Sequence, residues 1–163
     1  MSLKYDIYLD TSVINFLFAD DAPEKKSITE DFFENFVKTE KYNTFISSFV
    51  LEEINKTADE LKKKRLLSAI KSYPIQVVQV SGTEVEELSR EYIRTGVVPP
   101  KKTYDALHIA VSTVYHIHFL VSWNYKHLAN INREQRVRQV NISNHYFHEL
   151  RIVTPLELID YEL

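Results

Sequence analysis

Three acidic residues stand where an apolar, β-prone run hands over to a helical one. Asp10 closes the run Tyr8-Leu9-Asp10-Thr11-Ser12. Glu53 ends Ser47-Ser48-Phe49-Val50-Leu51-Glu52-Glu53, and Asp105 opens Asp105-Ala106-Leu107-His108-Ile109-Ala110. A fourth junction, Leu120-Val121-Ser122-Trp123-Asn124, carries an amide where the others carry an acid. In an α/β protein the loops at the carboxyl ends of parallel strands converge on one crevice. Carboxylates gathered there repel one another unless a hard divalent cation holds them together. That chemistry suits metal-assisted hydrolysis of a phosphodiester.

Each acid also has a plainer reading. Asp10, followed by two hydroxyl residues, has the form of a helix N-cap. Asp105 falls in the first turn of a helix, where a carboxylate favours the macrodipole in any protein. Glu53 is harder to explain away. Stepping 100° per residue, Phe49, Val50, Leu51 and Ile54 define the buried direction of their helix, and Glu53 falls near that arc while Glu52 points away. A glutamate close to the core requires a cation or a strong donor, so Glu53 is preferred over Glu52.

The elements that must position these residues are legible from periodicity. Tyr5–Leu9, Thr44–Ser47, Ile75–Val80 and His118–Val121 read as short β-prone strands, and Arg151–Val153 as an edge strand. Between them lie a compact helix over Val13–Phe18 and an amphipathic one over residues 24–40, with Ile28, Phe32, Phe33, Phe36 and Val37 at helical spacing. Further helices are expected at 48–56, 59–72, 83–94 and 103–115, with a mixed polar one at 133–150. Thr83 with Glu86, and Thr154-Pro155-Leu156-Glu157, have the form of capping boxes. Strands alternating with helices predict an α/β fold of three layers, α/β/α, around a central parallel sheet of four to five strands. No internal repeat or linker divides residues 1–163, which are read as one domain.

Composition narrows the chemistry. The 163 residues contain no cysteine, which excludes disulfides, zinc–thiolate sites and thiol nucleophiles. The two glycines, Gly82 and Gly96, cannot supply a dinucleotide fingerprint or a P-loop. No apolar run is long enough to span a bilayer and no signal-peptide core is present, so a cytoplasmic protein with no membrane partner is expected. The net charge of −3 does not announce a nucleic-acid binder. Charge is uneven, however: residues 1–100 hold 13 Lys/Arg against 17 Asp/Glu, and residues 101–163 hold 7 against 6.

Taken in order and spacing, the four motifs resemble the PIN domain, and most of all the toxin nucleases of prokaryotic toxin–antitoxin pairs and their free-standing relatives. The resemblance runs from Tyr5 to about Leu158. It implies a sheet of strand order 3-2-1-4-5 and a Mg²⁺- or Mn²⁺-dependent ribonuclease in which Asp10, Glu53 and Asp105 are metal-binding acids. A 5′-phosphate and a 3′-hydroxyl would be the products. It also implies RNA as substrate, a protein antitoxin as a possible partner, and a homodimer. The chain departs from the pattern at Asn124, where family members often place a fourth aspartate. An amide still offers a carbonyl oxygen to a cation but brings no charge, so metal binding is expected to be weaker, particularly at a second site. Thr11 and Ser122 match small hydroxyl positions near the acids and are read as orienters of water or phosphate, with capping as the alternative.

Lys101, Lys102, Lys126, Arg133, Arg136 and Arg138 lie close in sequence to Asp105 and Asn124 and are candidates to grip a phosphate backbone. Lys62-Lys63-Lys64-Arg65 reads as a solvated helix face. Tyr104, Trp123 and Tyr125 are large enough to stack on bases, though core packing is the plainer role. The six histidines lack a completing zinc set: His145 and His148 are expected on one helix face, His116 and His118 around a turn, and His108 packed or solvated one turn beyond Asp105. Two other aspartate-dependent families, the first of which also uses an aspartate after its first strand, do not fit. A haloacid-dehalogenase-like phosphatase requires a second aspartate where Ser12 stands, and a receiver domain requires an acidic pair that Asp6 and Asp10 do not form. The non-enzymatic alternative is a degenerate PIN-like module that binds RNA or protein without cleavage, with Asn124 as its best support.

Overall fold

Strand β1 (Asp6–Leu9) runs through the middle of the molecule, and Ile7, Tyr8 and Leu9 are fully buried. A strand covered on both faces needs a continuous apolar run rather than alternation, which is what these residues supply. The computed structural model describes residues 4–124 and 131–160. Elements follow in the order β1, α1 (Thr11–Phe16), α2 (Pro23–Phe32), β2 (Asn43–Ser47), α3 (Ser48–Asn55), α4 (Glu60–Ser72) and β3 (Ile75–Val78). Then come α5 (Glu84–Arg94), α6 (Thr103–Val114), β4 (Phe119–Val121), α7 (Ile131–Ser143), β5 (Arg151–Val153) and α8 (Pro155–Ile159).

All five strands are parallel, in the order β3-β2-β1-β4-β5. Tyr8 pairs with Phe45 on one side and Leu120 on the other. The chain moves outward from β1 to β2 and β3, then crosses back to build β4 and β5 on the opposite flank. The order therefore reverses at β1, and the crevice beyond its carboxyl end is the switch point at which such sheets bind ligands. Asp10 follows β1 directly, and Ser122–Asn124 follow β4.

Away from the crevice, a buried polar cluster pins three helices together. The Tyr92 hydroxyl of α5 donates to Asn141 Oδ1 of α7 and lies 3.2 Å from Thr113 Oγ1 of α6, to which Asn141 Nδ2 also donates at 3.2 Å. Burial pushes the Tyr92 phenol well above its ordinary value, so it remains a donor.

Three sequence expectations are corrected. The amphipathic helix after Pro23 widens over Phe33–Val37 into a π turn, with Lys38 N–H donating to Phe33 O at 2.8 Å. Each residue of a π turn advances the helix through a smaller angle, so Phe32, Phe33 and Val37 all reach the core and the Phe32 and Phe36 rings stack 6.3 Å apart. The Thr83–Glu86 box does not form, because Thr83, after the left-handed Gly82, has helical rather than extended torsions. Its hydroxyl donates to Glu87 Oε1 at 2.9 Å instead. Helix α7 stops at Ser143 rather than reaching 150, closed by Asn144 and a left-handed His145. His145 and His148 consequently share no helix face. The box at Thr154 and Glu157 is present in full.

Candidate active site

Asp10 is held at the mouth of the β1–β4 gap by its backbone, whose N–H donates to Val121 O at 3.2 Å. Its side chain makes no cap to α1. Asp10 thus holds the N-cap position of α1, as its plainer reading expects, without spending its carboxylate on the cap. Ser12 Oγ donates to Asp10 Oδ1 at 2.5 Å and itself accepts Trp123 N–H at 3.0 Å, tying the acid to the loop after β4. Asp10 Oδ2 is buried with no hydrogen-bond partner among the described residues. Burial pushes the Asp10 carboxyl up to about 6, against the pull of His108 and of the Ser12 and Ser122 hydroxyls, and the nearby Asp105 charge adds to the rise.

Asp105 is buried in the first turn of α6, and Asn124 Nδ2 lies 3.5 Å from its Oδ1. The amide thus turns its donor end toward Asp105. Asn124 N–H donates to Ser122 Oγ at 2.9 Å, so Ser122, fully buried, shapes the β4 loop as well as flanking Asp10. Arg133 adds positive charge near Asp105, whereas Arg136 donates to Gly96 O at 3.1 Å and Arg138 to Glu149 Oε1 at 2.9 Å.

Glu53 points inward from α3 and Glu52 is exposed. Ser47 starts that helix by accepting Phe49 N–H on its hydroxyl at 3.2 Å. Glu53 Oε1 accepts Thr11 Oγ1–H at 2.5 Å and lies 2.6 Å from His108 Nε2. Burial acts to raise the Glu53 carboxyl, but His108, Thr11 and the nearby Lys56 outweigh it and hold it below the ordinary value. The acids therefore divide into two neighbouring groups: Asp10 and Asp105 coupled by charge, and Glu53 engaged with Thr11 and His108. Among the described residues, no three His, Cys, Asp or Glu side chains come together as a ligand set for one ion.

A model of one protein family, the PIN domain, matches residues 7–132. The chain belongs to the PIN domain family. The matched span includes Asp10, Glu53, Asp105 and Asn124, and thus every junction motif of the crevice. Solved PIN-fold neighbours include VapBC2 from Rickettsia felis bound to a DNA fragment from its promoter, at 17% identity and a TM-score of 0.55 over 91% of this chain and 98% of that one. A toxin–antitoxin complex from Klebsiella pneumoniae aligns at 17% identity and a TM-score of 0.58, covering 96% of this chain and 99% of that one. At these identities the likeness is one of fold. Comparison with curated proteins finds no match.

Within this PIN domain the remaining candidates separate. Thr11 donates to Glu53, and Ser122 accepts the Asn124 N–H and flanks Asp10. Lys101 and Lys102 are exposed in the turn leading into α6, within four residues of Asp105. Lys126 and Tyr125 lie outside the described residues. Trp123 is core: its indole N–H donates to Thr29 Oγ1 at 2.9 Å, and its ring rests against Phe16. Tyr104 is half-buried over His108, with Lys56 Nζ 4.7 Å above its ring. The residue sequence reasoning undervalued is His108. Its place four residues from Ser112 and three from Asp105 on an apolar helix put it on the buried face, but nothing in one sequence marked Glu53 as its partner.

Proposed function

We propose that this PIN domain is a metal-dependent endoribonuclease of the toxin type, with Asp10, Glu53, Asp105 and the Asn124 carbonyl as ligands for Mg²⁺ or Mn²⁺. One observation carries the reading: Asp10 is a buried carboxylate at the switch-point crevice, beside the buried Asp105, with its Oδ2 lacking a donor. Uncompensated carboxylate oxygen in a dry site is what a hard cation relieves, so Asp10 with the neighbouring Asp105 fits such an ion. Glu53 would have to close in from its own group to join them. When bound, the cation would supply Lewis-acid polarisation of a phosphoryl oxygen and a more acidic water.

The chain's own residues contribute the rest. Ser12 fixes Asp10, while Thr11 and His108 fix Glu53, so two ligands are presented without rotamer search. Arg133 near Asp105, with Lys101, Lys102 and Lys126, would attract the RNA backbone to a protein whose net charge is −3. The two solved neighbours are toxin–antitoxin proteins, which supports a protein antitoxin as partner of this chain. A homodimer acting in the cytoplasm completes the reading. Among the described residues, no helix is long and apolar enough to cross a membrane.

The test is cleavage of end-labelled RNA with Mn²⁺, with a chelator control and with the Asp10→Asn and Asp105→Asn variants. The expected result is Mn²⁺-dependent cleavage leaving 5′-phosphates, abolished in both variants while their melting temperatures stay at or above wild type. Full activity in either variant removes that acid from the ligand set. A second reading, binding without cleavage, is favoured by the Asn124 amide turned to Asp105. Calorimetric Mn²⁺ titration separates the two, since a module that only binds RNA or protein has no need of the ion.

A further inference from the structure

A line of side-chain hydrogen bonds runs from the end of β2 to the Glu53 carboxylate. Ser47 Oγ lies 2.6 Å from Tyr8 Oη, Tyr8 Oη lies 2.6 Å from His108 Nδ1, and His108 Nε2 lies 2.6 Å from Glu53 Oε1. Thr11 Oγ1 donates to the same Glu53 oxygen at 2.5 Å. Ser47, Tyr8 and His108 are each at most 1% exposed. The line joins β1, β2, α1, α3 and α6, five elements that meet only in the folded molecule.

One proton order satisfies both ends of the line. An ionised carboxylate only accepts, so Nε2 carries the imidazole proton toward Glu53. With Nε2 as the donor, Nδ1 accepts the Tyr8 hydroxyl, and Tyr8 Oη in turn accepts from Ser47. Ser47 Oγ has the Phe49 N–H as its own donor at 3.2 Å. Each hydroxyl donates once and accepts once, and no member competes for a proton. A core histidine that only filled space would leave its nitrogens with backbone or solvent partners. Here both are committed, one to a buried tyrosine and the other to a candidate ligand.

We propose that His108 is a positioning residue, locked as the Nε2–H tautomer by Tyr8 and Ser47 so that it sets the orientation of Glu53. The inference rests on Glu53 being a metal ligand. Residues that orient a ligand from behind typically account for about 10–100-fold in metal affinity.

Mn²⁺ affinity, measured by calorimetric titration without RNA, tests this on four proteins: wild type, His108→Leu, His108→Gln and Glu53→Gln. Expected is a loss of about 10–100-fold in His108→Leu, with most of it restored in His108→Gln, whose amide donor reaches the Nε2 position. Wild-type affinity in His108→Leu alongside weakened binding in Glu53→Gln overturns the inference and leaves the nuclease reading intact. Unchanged affinity in Glu53→Gln overturns both. If His108→Leu does not fold, Tyr8→Phe serves, since it keeps the ring packed and removes one hydroxyl; a several-fold weaker Mn²⁺ affinity is expected and no change counts against the inference. Nitrogen-15 NMR of the His108 ring gives a reading independent of metal. The Nε2–H form is expected in the wild type, and the Nδ1–H form would overturn the assignment.

Discussion

At the scale of single residues, the site stores unfavourable charge. Asp10 in the folded protein titrates at about 6 against an ordinary 3.8. A raised carboxyl binds its proton more tightly in the folded state, so this group's stabilising contribution is present below pH 4 and is lost as pH climbs through 6. The full loss is on the order of 3 kcal/mol at 1.36 kcal/mol per pKa unit. Chelator-treated wild type should therefore lose stability between pH 4 and pH 7 relative to Asp10→Asn, in which the difference vanishes. Parallel urea titrations at both pH values measure it, and an equal change in unfolding free energy between the two pH values for the two proteins would refute the burial of Asp10. Asn124 offers the complementary change. A new carboxylate about 4 Å from a divalent ion gains several kcal/mol at an effective dielectric near 20, before desolvation. Asn124→Asp is expected to tighten Mn²⁺ by at least about tenfold and to lower the melting temperature of the metal-free protein, where it adds a like charge beside Asp105. Equal Mn²⁺ affinity in the two proteins would mean that residue 124 does not face the ion.

At the scale of elements, the buried cluster of Tyr92, Thr113 and Asn141 holds α5, α6 and α7 in register, and α6 carries both Asp105 and His108. Tyr92→Phe leaves Asn141 Oδ1 without its donor, at an expected cost of about 1–3 kcal/mol. Urea unfolding should show a lower midpoint at unchanged slope; an unshifted midpoint would show the cluster to be dispensable. The strands around the site were legible from sequence because burial on both faces leaves a plain mark, as in Ile7-Tyr8-Leu9. Helix ends were less so. Thr83 and Glu86 have the right letters for a capping box, but the left-handed Gly82 before them sets torsions that no local pattern reveals. The π turn at Phe33–Val37 was hidden because its apolar spacing satisfies an α-helix equally well. Glu53 could be chosen over Glu52 from helical phase alone. His108 could not be matched to Glu53, since 55 residues separate them and the contact exists only through the order of the strands.

At the scale of the whole molecule, net charge and the proposed function pull in different directions. If the proposed function holds, a protein of net charge −3 would have to draw RNA through a local field. Replacing both Lys101 and Lys102 with Ala should reduce the slope of log affinity against log salt by about 1.4, at roughly 0.7 per single-strand phosphate contact. Filter binding over a salt series measures this, and an unchanged slope would move the phosphate contact to the basic face at 62–65. The strand order carries a consequence in time. β1 is made early, but one of its two edges is filled only by β4, whose pairing joins Leu9 to Val121 across 112 positions of chain. A growing chain that has not yet delivered β4 leaves that edge open and lacks the Val121 carbonyl that anchors Asp10. The crevice therefore has no half-built form. On the proposed reading, a chain still in synthesis cannot act before Val121 has emerged, so a cell would meet any such chemistry only once most of the chain is made.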